Sequence, residues 1–379
     1  MSNLKRILKP LFAPLSVLNN VISKDSKKLF FYSNLGFRDN VKSLYDYAIQ
    51  IGLNKTHKII VATDEYKKFA EAAPQNVKFV STKNGIFSFF RAKYCFYSFG
   101  KYPIMPAKKQ TVVNLWHGMP LKSIGRFVKG CENEKQNYFS HIIATSPFFA
   151  EVMCKAFDAK REQVIITSQP RCDDMYKSAP KPDFLEGFDK IIFWLPTFMS
   201  SKKLGRQDGE YKNINPYDAD FLNEINEILK QNSMLLLIKP HPMDDADIAK
   251  TDFSNIKVTT DAELYKKNLN LYDVLRDTDA LVTDFSSIYF DFMMLDRPIA
   301  FAGGDVDEYQ KNRGFSLENP KDFMPGAVLA NSDEFVSFVK DVAKGVDEHL
   351  EQRKICNEIC NTFSNGDGCA RVLKEIGLI

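Results

Sequence analysis

Three short fragments of the 379-residue chain carry side chains suited to group transfer, and each directly follows an apolar run. In Val112-Val113-Asn114-Leu115-Trp116-His117-Gly118-Met119-Pro120 a strand-like run leads into a turn, and Pro120 prevents the strand from continuing. An imidazole at His117 titrates near neutrality and can take a proton from an attacking hydroxyl. The plainer alternative is a hydrogen-bonded turn histidine with Trp116 as core. In Lys239-Pro240-His241-Pro242 two prolines stiffen a loop bearing one cation and one imidazole. That pair suits a phosphate-bearing ligand through charge-assisted hydrogen bonds, although rigid proline loops are also common without a ligand.

The third fragment is Ala280-Leu281-Val282-Thr283-Asp284-Phe285-Ser286-Ser287. A strand ends at Thr283 and a helix is expected to begin near Ser286, with Ile288, Phe292 and Leu295 spaced to bury one face. Free N–H groups at a helix start, with two hydroxyls, make an anion site. Asp284 would repel a phosphate at close range and reads better as a cap or loop brace. An N-capped helix with no ligand fits this fragment equally well. Arg313 and Arg371 are of the type that grips phosphate oxygens bidentately, or else form surface ion pairs. Asp305-Val306-Asp307 has the Asp-x-Asp form of a metal-bound nucleotide-sugar site, but it is a weak match within a glycine loop, and neither metal nor other cofactor is expected.

The elements that must position these residues are legible as short apolar runs. In the first half they are Leu29–Tyr32, Lys58–Ala62, Val77–Ser81, Tyr94–Tyr97, Thr111–Leu115, Ile142–Thr145 and Val164–Thr167. In the second they are Ile191–Leu195, Met234–Ile238, Ile256–Thr259, Ala280–Thr283, Ile299–Ala302 and Val328–Ala330. Helical periodicity separates several of them, at Asn40–Ile51, Pro147–Phe157, Asp218–Gln231, Ser287–Leu295 and Asp333–Ala343. Strands alternating with helices predict parallel sheets covered on both faces. The tail from Val346 reads as two helices broken near Asn365-Gly366. Gln169–Gly187, rich in Pro, Lys, Asp and Ser, reads as a linker. The expected organisation is an arm at 1–26, a first domain at 27–170, a linker at 171–187 and a second domain at 188–379.

Lys and Arg total 51 against 48 Asp and Glu, for a net charge of +3, and the basic residues are scattered. Nucleic acid is therefore not an expected partner. Seven cysteines, none in a Cys-x-x-Cys pair, fit a reducing cytoplasm. Residues 1–22 place Lys5, Arg6 and Lys9 among Leu4, Ile7, Leu8, Leu11, Leu15 and Leu18. Prolines break this stretch, and it is too short to span a bilayer. It reads as an interfacial anchor or as an arm packed on its own domain.

Taken in order, these fragments resemble the CDP-glycerol glycerophosphotransferase family, the teichoic-acid primases and polymerases and related capsule enzymes. The resemblance runs from about Asn114 to the C-terminus. It rests on Trp116-His117-Gly118 with Pro120-Leu121-Lys122, Pro170-Arg171-x-Asp173, Lys239-Pro240-His241-Pro242 and Thr283-Asp284-Phe285-Ser286-Ser287 with Phe290-Asp291. Arg297-Pro298-Ile299, Asp305…Tyr309…Arg313-Gly314-Phe315, Pro325-Gly326 and Asp367-Gly368…Arg371 add to it. One departure is Met199, where the family often shows the arginine of Pro-Thr-x-Arg.

The resemblance implies a GT-B-type α/β fold, two Rossmann-like doubly wound domains facing across a cleft, with nucleotide bound mainly by the second. It implies His117 and His241 as catalytic residues. Lys239, Thr283, Asp284, Ser286, Ser287, Arg313 and Arg371 fall on the donor side, and Trp116, Gly118 and Lys122 on the acceptor side. The implied donor is CDP-glycerol or another CDP-alditol. The implied acceptor is lipid-linked or polysaccharide, reached from the cytoplasmic face of the inner membrane by a peripheral enzyme. A GT-B glycosyltransferase using a UDP- or GDP-sugar shares the fold and phosphate site. A non-catalytic polymer-assembly protein is the third reading.

Overall fold

The computed structural model describes residues 12–196, 200–201, 206–207, 214, 218–240, 253–303 and 306–379. His241, Asp305 and the Thr197–Met199 departure lie outside them. The chain divides into two compact units. The first comprises Met1–Gly118, Asn133–Asp173 and Asn365–Ile379, and the second Met119–Glu132 and Asp174–Ser364.

The first unit is built on β1 (Asp25–Ser33), β2 (Lys58–Thr63), β3 (Val77–Val80), β4 (Ala92–Tyr97), β5 (Thr111–Asn114), β6 (His141–Ala144) and β7 (Val164–Ile166). They form one parallel sheet in the order β3-β2-β1-β4-β5-β6-β7. Adjacent residues of a strand point to opposite faces, and both Phe30 and Phe31 are buried, so helices must cover both sides. The helix Asp39–Gln50 does so with Val41, Leu44, Tyr45 and Ala48, a spacing of three and four that makes one apolar stripe. Strand order reverses between β1 and β4, which places the crevice of a doubly wound sheet at their carboxyl ends.

The second unit carries β8 (Lys190–Trp194), a two-stranded ribbon of β9 (Ser200–Ser201) and β10 (Arg206–Gln207), then β11 (Met234–Ile238), β12 (Ile256–Val258), β13 (Ala280–Thr283), β14 (Ile299–Phe301) and β15 (Ala327–Val328). Its main sheet is also parallel, in the order β12-β11-β8-β13-β14-β15, with the reversal between β8 and β13. The helices Ala219–Gln231 and Ser332–Lys344 bury Phe221, Ile225 and Leu229, and Phe335, Val339 and Val342, in one core with Trp194. Asp218 and Asn331 cap them by accepting the N–H groups of Phe221 and Glu334 at 3.0 Å each.

Each apolar run read as a strand meets one, although the last, Val328–Ala330, shares only Val328 with β15. Three details differ from the sequence reading. The helix expected over Ser287–Leu295 is an α-helix only at Ile288–Phe292 and tightens to a 3₁₀ turn over Met293–Leu295. The supposed linker is partly core, because Pro170–Tyr176 is a 3₁₀ helix with Arg171, Cys172, Asp174 and Met175 buried. The last helix, Gly368–Glu375, was expected within 188–379 but belongs to the first unit, where Cys369, Val372 and Leu373 join the core of Leu29, Phe31 and Val113. Asp173 fixes it there by accepting the N–H groups of Gly368 and Cys369 at 2.7 and 2.8 Å. Gly368 is closely packed there, since a Cβ would stand 2.5 Å from Ser168 Oγ and 3.1 Å from the Ser168 carbonyl oxygen.

Candidate active site

The turn after β5 is held by buried polar groups. Asn114 Oδ1 accepts the N–H of Trp116 at 3.0 Å, and Trp116 takes φ +49°, a left-handed conformation uncommon for a bulky residue. Gly118 follows at φ +118°. Such geometry persists only where its surroundings impose it. Here Asn40, fully buried at the start of its helix, donates from Nδ2 to the carbonyls of Leu115 and Trp116 at 3.0 and 3.1 Å and to Gln169 Oε1 at 2.5 Å. Its Oδ1 accepts the Arg171 N–H at 3.1 Å, and the Arg171 guanidinium pairs with Asp39 at 2.7 Å.

This frame aims His117. Its ring stacks on Phe99, with centroids 4.9 Å apart and planes 22° apart, and lies 4.0 Å from the Trp116 ring. One ring nitrogen meets the Ser98 carbonyl, whereas Nδ1 has no hydrogen-bond partner among the described residues. Burial pushes the imidazole down to about 4, with Asp39 opposing the shift and Arg171 reinforcing it. The ring is therefore neutral at neutral pH. A carbonyl only accepts, so the single ring proton faces Ser98 and the lone pair sits on Nδ1. That is the state a general base requires.

The shift predicts a pH profile. A free-enzyme base of this kind keeps kcat/KM level from about pH 8 to about pH 6, with the acid limb nearer pH 4–5. An acid limb at the ordinary imidazole value, about 6.5, would contradict the assignment. Stability carries the matching sign. The folded value lies below the unfolded one, so the unfolded chain takes the proton first, and stability from this group is lost as pH falls from about 6.5 toward 4.

In the second unit the sequence candidates gather at the carboxyl edge of the main sheet. Lys239 follows β11, donates its N–H to the Trp194 carbonyl at 3.0 Å, and is buried with Nζ 2.9 Å from Asp261. Its charge is thus anchored by a carboxylate at the start of the helix Asp261–Lys266. Thr283 is fully buried and its hydroxyl donates to the Leu195 carbonyl at 3.1 Å, tying β13 to β8. Asp284 is buried too. Gly303 packs so closely on it that a Cβ there would lie 2.8 Å from the Asp284 Cβ.

Ser286 and Ser287 are half-buried. Ser286 Oγ accepts the Ile288 N–H at a long 3.5 Å and Ser287 makes no capping bond, so both hydroxyls can donate outward. Asp291, part of the same motif, accepts the Tyr272 hydroxyl at 2.6 Å in a buried brace.

Lys122 belongs to the second unit, where it bridges antiparallel to Phe315 and sets its ammonium 5.5 Å from the centre of the Tyr309 ring. Arg313 is exposed just past the helix Val306–Asn312 of that segment. Arg371, read from the sequence as a donor-domain residue, instead lies in the first unit and donates from Nε to Asp367 at 2.6 Å. The structure thus groups Trp116, His117 and Gly118 in one unit, and Lys239, Thr283, Asp284, Ser286 and Ser287 in the other. Sequence reasoning missed Asn40 and Gln169. Asn40 looked like an ordinary helix start and Gln169 like the opening of a linker. The neighbouring Pro-Arg-x-Asp fragment was the one signal near them.

Two parallel sheets, each with the strand order of a Rossmann unit and each with polar residues at its carboxyl edge, define a GT-B-type α/β protein. The chain belongs to the CDP-Glycerol:Poly(glycerophosphate) glycerophosphotransferase family, whose model matches residues 15–378. It is 25% identical over 292 residues to the teichoic acid glycerol-phosphate transferase of Staphylococcus aureus, covering 71% of each chain. It is 23% identical over 384 residues to a teichoic acid poly(glycerol phosphate) polymerase of Bacillus spizizenii, covering 94% of this chain and 93% of that one. The wall teichoic acid polymerase TagF superposes with a TM-score of 0.73 at 17% identity, covering 99% of this chain and 98% of that one. At that identity the likeness speaks for the fold.

Proposed function

We propose that this chain transfers glycerol phosphate, or a related alditol phosphate, from a CDP-activated donor to a hydroxyl of a cell-surface polymer or lipid-linked acceptor, with release of CMP. The observation that carries this reading is His117, a neutral imidazole with an unpartnered Nδ1 on a braced turn, in a chain that the family model spans almost completely. The acceptor oxygen bonds to the phosphorus that bears the alditol, the bond from that phosphorus to the CMP oxygen breaks, and the acceptor proton passes to Nδ1. Ser286 and Ser287, with Lys239 and Arg313, are the groups proposed to hold the donor phosphates, and His241 is a second proposed catalytic residue. Phosphoryl transfer depends mostly on positioning and charge stabilisation, so no covalent nucleophile is invoked. Calorimetric titration with CDP-glycerol, CDP-ribitol and UDP-sugars tests the donor. A CDP-alditol should bind and UDP-sugars should not. Preference for a UDP-sugar would favour the glycosyltransferase reading instead.

The proposed workplace is the cytoplasmic face of the membrane, on polymers of teichoic-acid or capsule type. Among the described residues no helix is long and apolar enough to cross a bilayer. The helix Ala13–Val21 is anchored through Asn19, which donates to the Met105 carbonyl and Gln110 at 2.9 and 2.8 Å, while Val17 and Val21 remain 69% and 75% exposed. Residues 1–11, with their basic side chains, lie outside the described residues. Val17→Glu with Val21→Glu should lower co-flotation with anionic vesicles several-fold. Unchanged flotation would remove this surface from the account.

A further inference from the structure

The loops that leave β1, β4 and β5 are neighbours at the carboxyl edge of the first unit, beside the point where its strand order reverses. An open α/β sheet takes its ligands at that place. Backbone bonds tie the three ends together. The Asn34 N–H donates to the Phe99 carbonyl at 3.3 Å, and the Leu115 N–H to the Tyr97 carbonyl at 2.8 Å. The loop after β1 is braced from its other side as well. Asp64 and Glu65 accept the N–H groups of Gly36 and Phe37 at 3.2 and 2.9 Å, and the Phe37 ring is buried against Tyr45, Phe69 and Phe79. The next residue, Arg38, is exposed.

Arg38 and His117 meet the same ring. The guanidinium carbon of Arg38 is 5.7 Å from the centre of Phe99, and the imidazole of His117 stacks on Phe99 at 4.9 Å. The guanidinium is therefore no further from the imidazole than those two distances together. Phe99 and His117 are half-buried, so solvent reaches this edge of the unit at all three residues. Contact with an aromatic ring positions a guanidinium in advance, and its planar fork of N–H donors suits a phosphate. The carboxylate beside it, Asp39, is already engaged, since it pairs with the Arg171 guanidinium at 2.7 Å and both side chains are largely buried.

We propose that Arg38 is an acceptor-binding residue that holds the phosphodiester next to the attacking hydroxyl. The chain then extends ends that already carry an alditol phosphate in preference to an uncharged sugar end. In a glycerol phosphate polymer the terminal hydroxyl and the nearest phosphodiester are the two ends of one glycerol unit. A base and a cation that share one aromatic ring can take one end each. The assignment rests on the reading of His117 as the base, and acceptor binding measured without donor separates the two.

The probes are a synthetic glycerol phosphate trimer and the same trimer with its last phosphodiester replaced by an uncharged methylphosphonate, each titrated calorimetrically into the full chain. The wild-type protein should bind the charged trimer about tenfold more tightly, the factor expected from one partly exposed charge-assisted hydrogen bond. Arg38→Met keeps a stem against Phe99 and removes the charge, so the two probes should fall within about twofold of each other. Arg38→Glu should reverse the preference. A residue that only braces the loop would weaken both probes alike and leave the tenfold ratio standing, which would overturn the proposal. Equal binding of both probes by the wild-type protein would overturn it without any variant. A lipid headgroup offers the same phosphate chemistry, so flotation with phosphatidylglycerol vesicles is measured alongside. Flotation lost in Arg38→Met with trimer discrimination intact would assign Arg38 to the lipid and overturn the proposal. If discrimination follows Arg38 but CDP-glycerol yields no acceptor-dependent CMP, the donor reading fails and the acceptor-phosphate site stands.

Discussion

His117→Ala is expected to lower kcat by about 10²–10⁴-fold, the range a positioned general base contributes. Affinity for the CDP-activated donor should stay within about twofold, because the substitution removes a group that acts chiefly in the transition state. The expectation follows from how the imidazole is presented. Burial keeps it uncharged, the Ser98 carbonyl holds its one proton, and Nδ1 is left with a lone pair and no internal partner. The turn is not a flexible loop, since Asn40 grips the carbonyls of both residues that precede His117. A turn histidine with no chemical role predicts the opposite pattern, with turnover retained and some loss of thermal stability. The two are separated by measuring kcat, donor KM and the melting temperature on one preparation.

Gly326→Ala is expected to be the most damaging glycine substitution for the fold. A Cβ at this position would stand 2.2 Å from the Ile299 carbonyl oxygen and 2.9 Å from its carbon. Those atoms are backbone of β14, whose Ala300 and Phe301 pair with Ala327 and Val328 of β15 immediately after the glycine. No side chain can swing aside to make room, so the two strands must separate. Overpacking of this kind typically costs about 1–3 kcal/mol, and the upper end applies where backbone is the obstacle. For a unit of roughly 200 residues that lowers its melting temperature by about 5–10 °C. Calorimetry or circular dichroism would show it. An unchanged transition would mean that β15 packs more loosely than described. The Pro325-Gly326 fragment is thus explained by strand packing rather than by chemistry.

The fold was legible because parallel strands buried on both faces leave continuous apolar runs, and helices between them leave a period of three to four. What was not legible depended on partners far away in sequence. Asp173 caps a helix 195 positions downstream, so nothing near Arg371 announced that its helix would join the first unit. Residues 170–176 have the charge and proline of a linker, yet Arg171 and Asp173 spend their charges inside, on Asp39 and on that helix start. The same holds for the candidate site. His117 stood out by chemistry and position, while Asn40 and Gln169, polar residues with no motif of their own, became visible only through the bonds they make to its turn. Thr283 and Asp291 show the converse, being motif residues that the structure uses as braces.

The most direct test of the account is acceptor-dependent release of CMP from CDP-glycerol by the purified full chain, followed with a glycerol phosphate-primed lipid or oligosaccharide acceptor. The account predicts CMP in step with acceptor extension by alditol phosphate units, and the loss of both in His117→Ala. Binding of CDP-glycerol with no acceptor-dependent CMP, or release of UDP from a sugar nucleotide in its place, would contradict it.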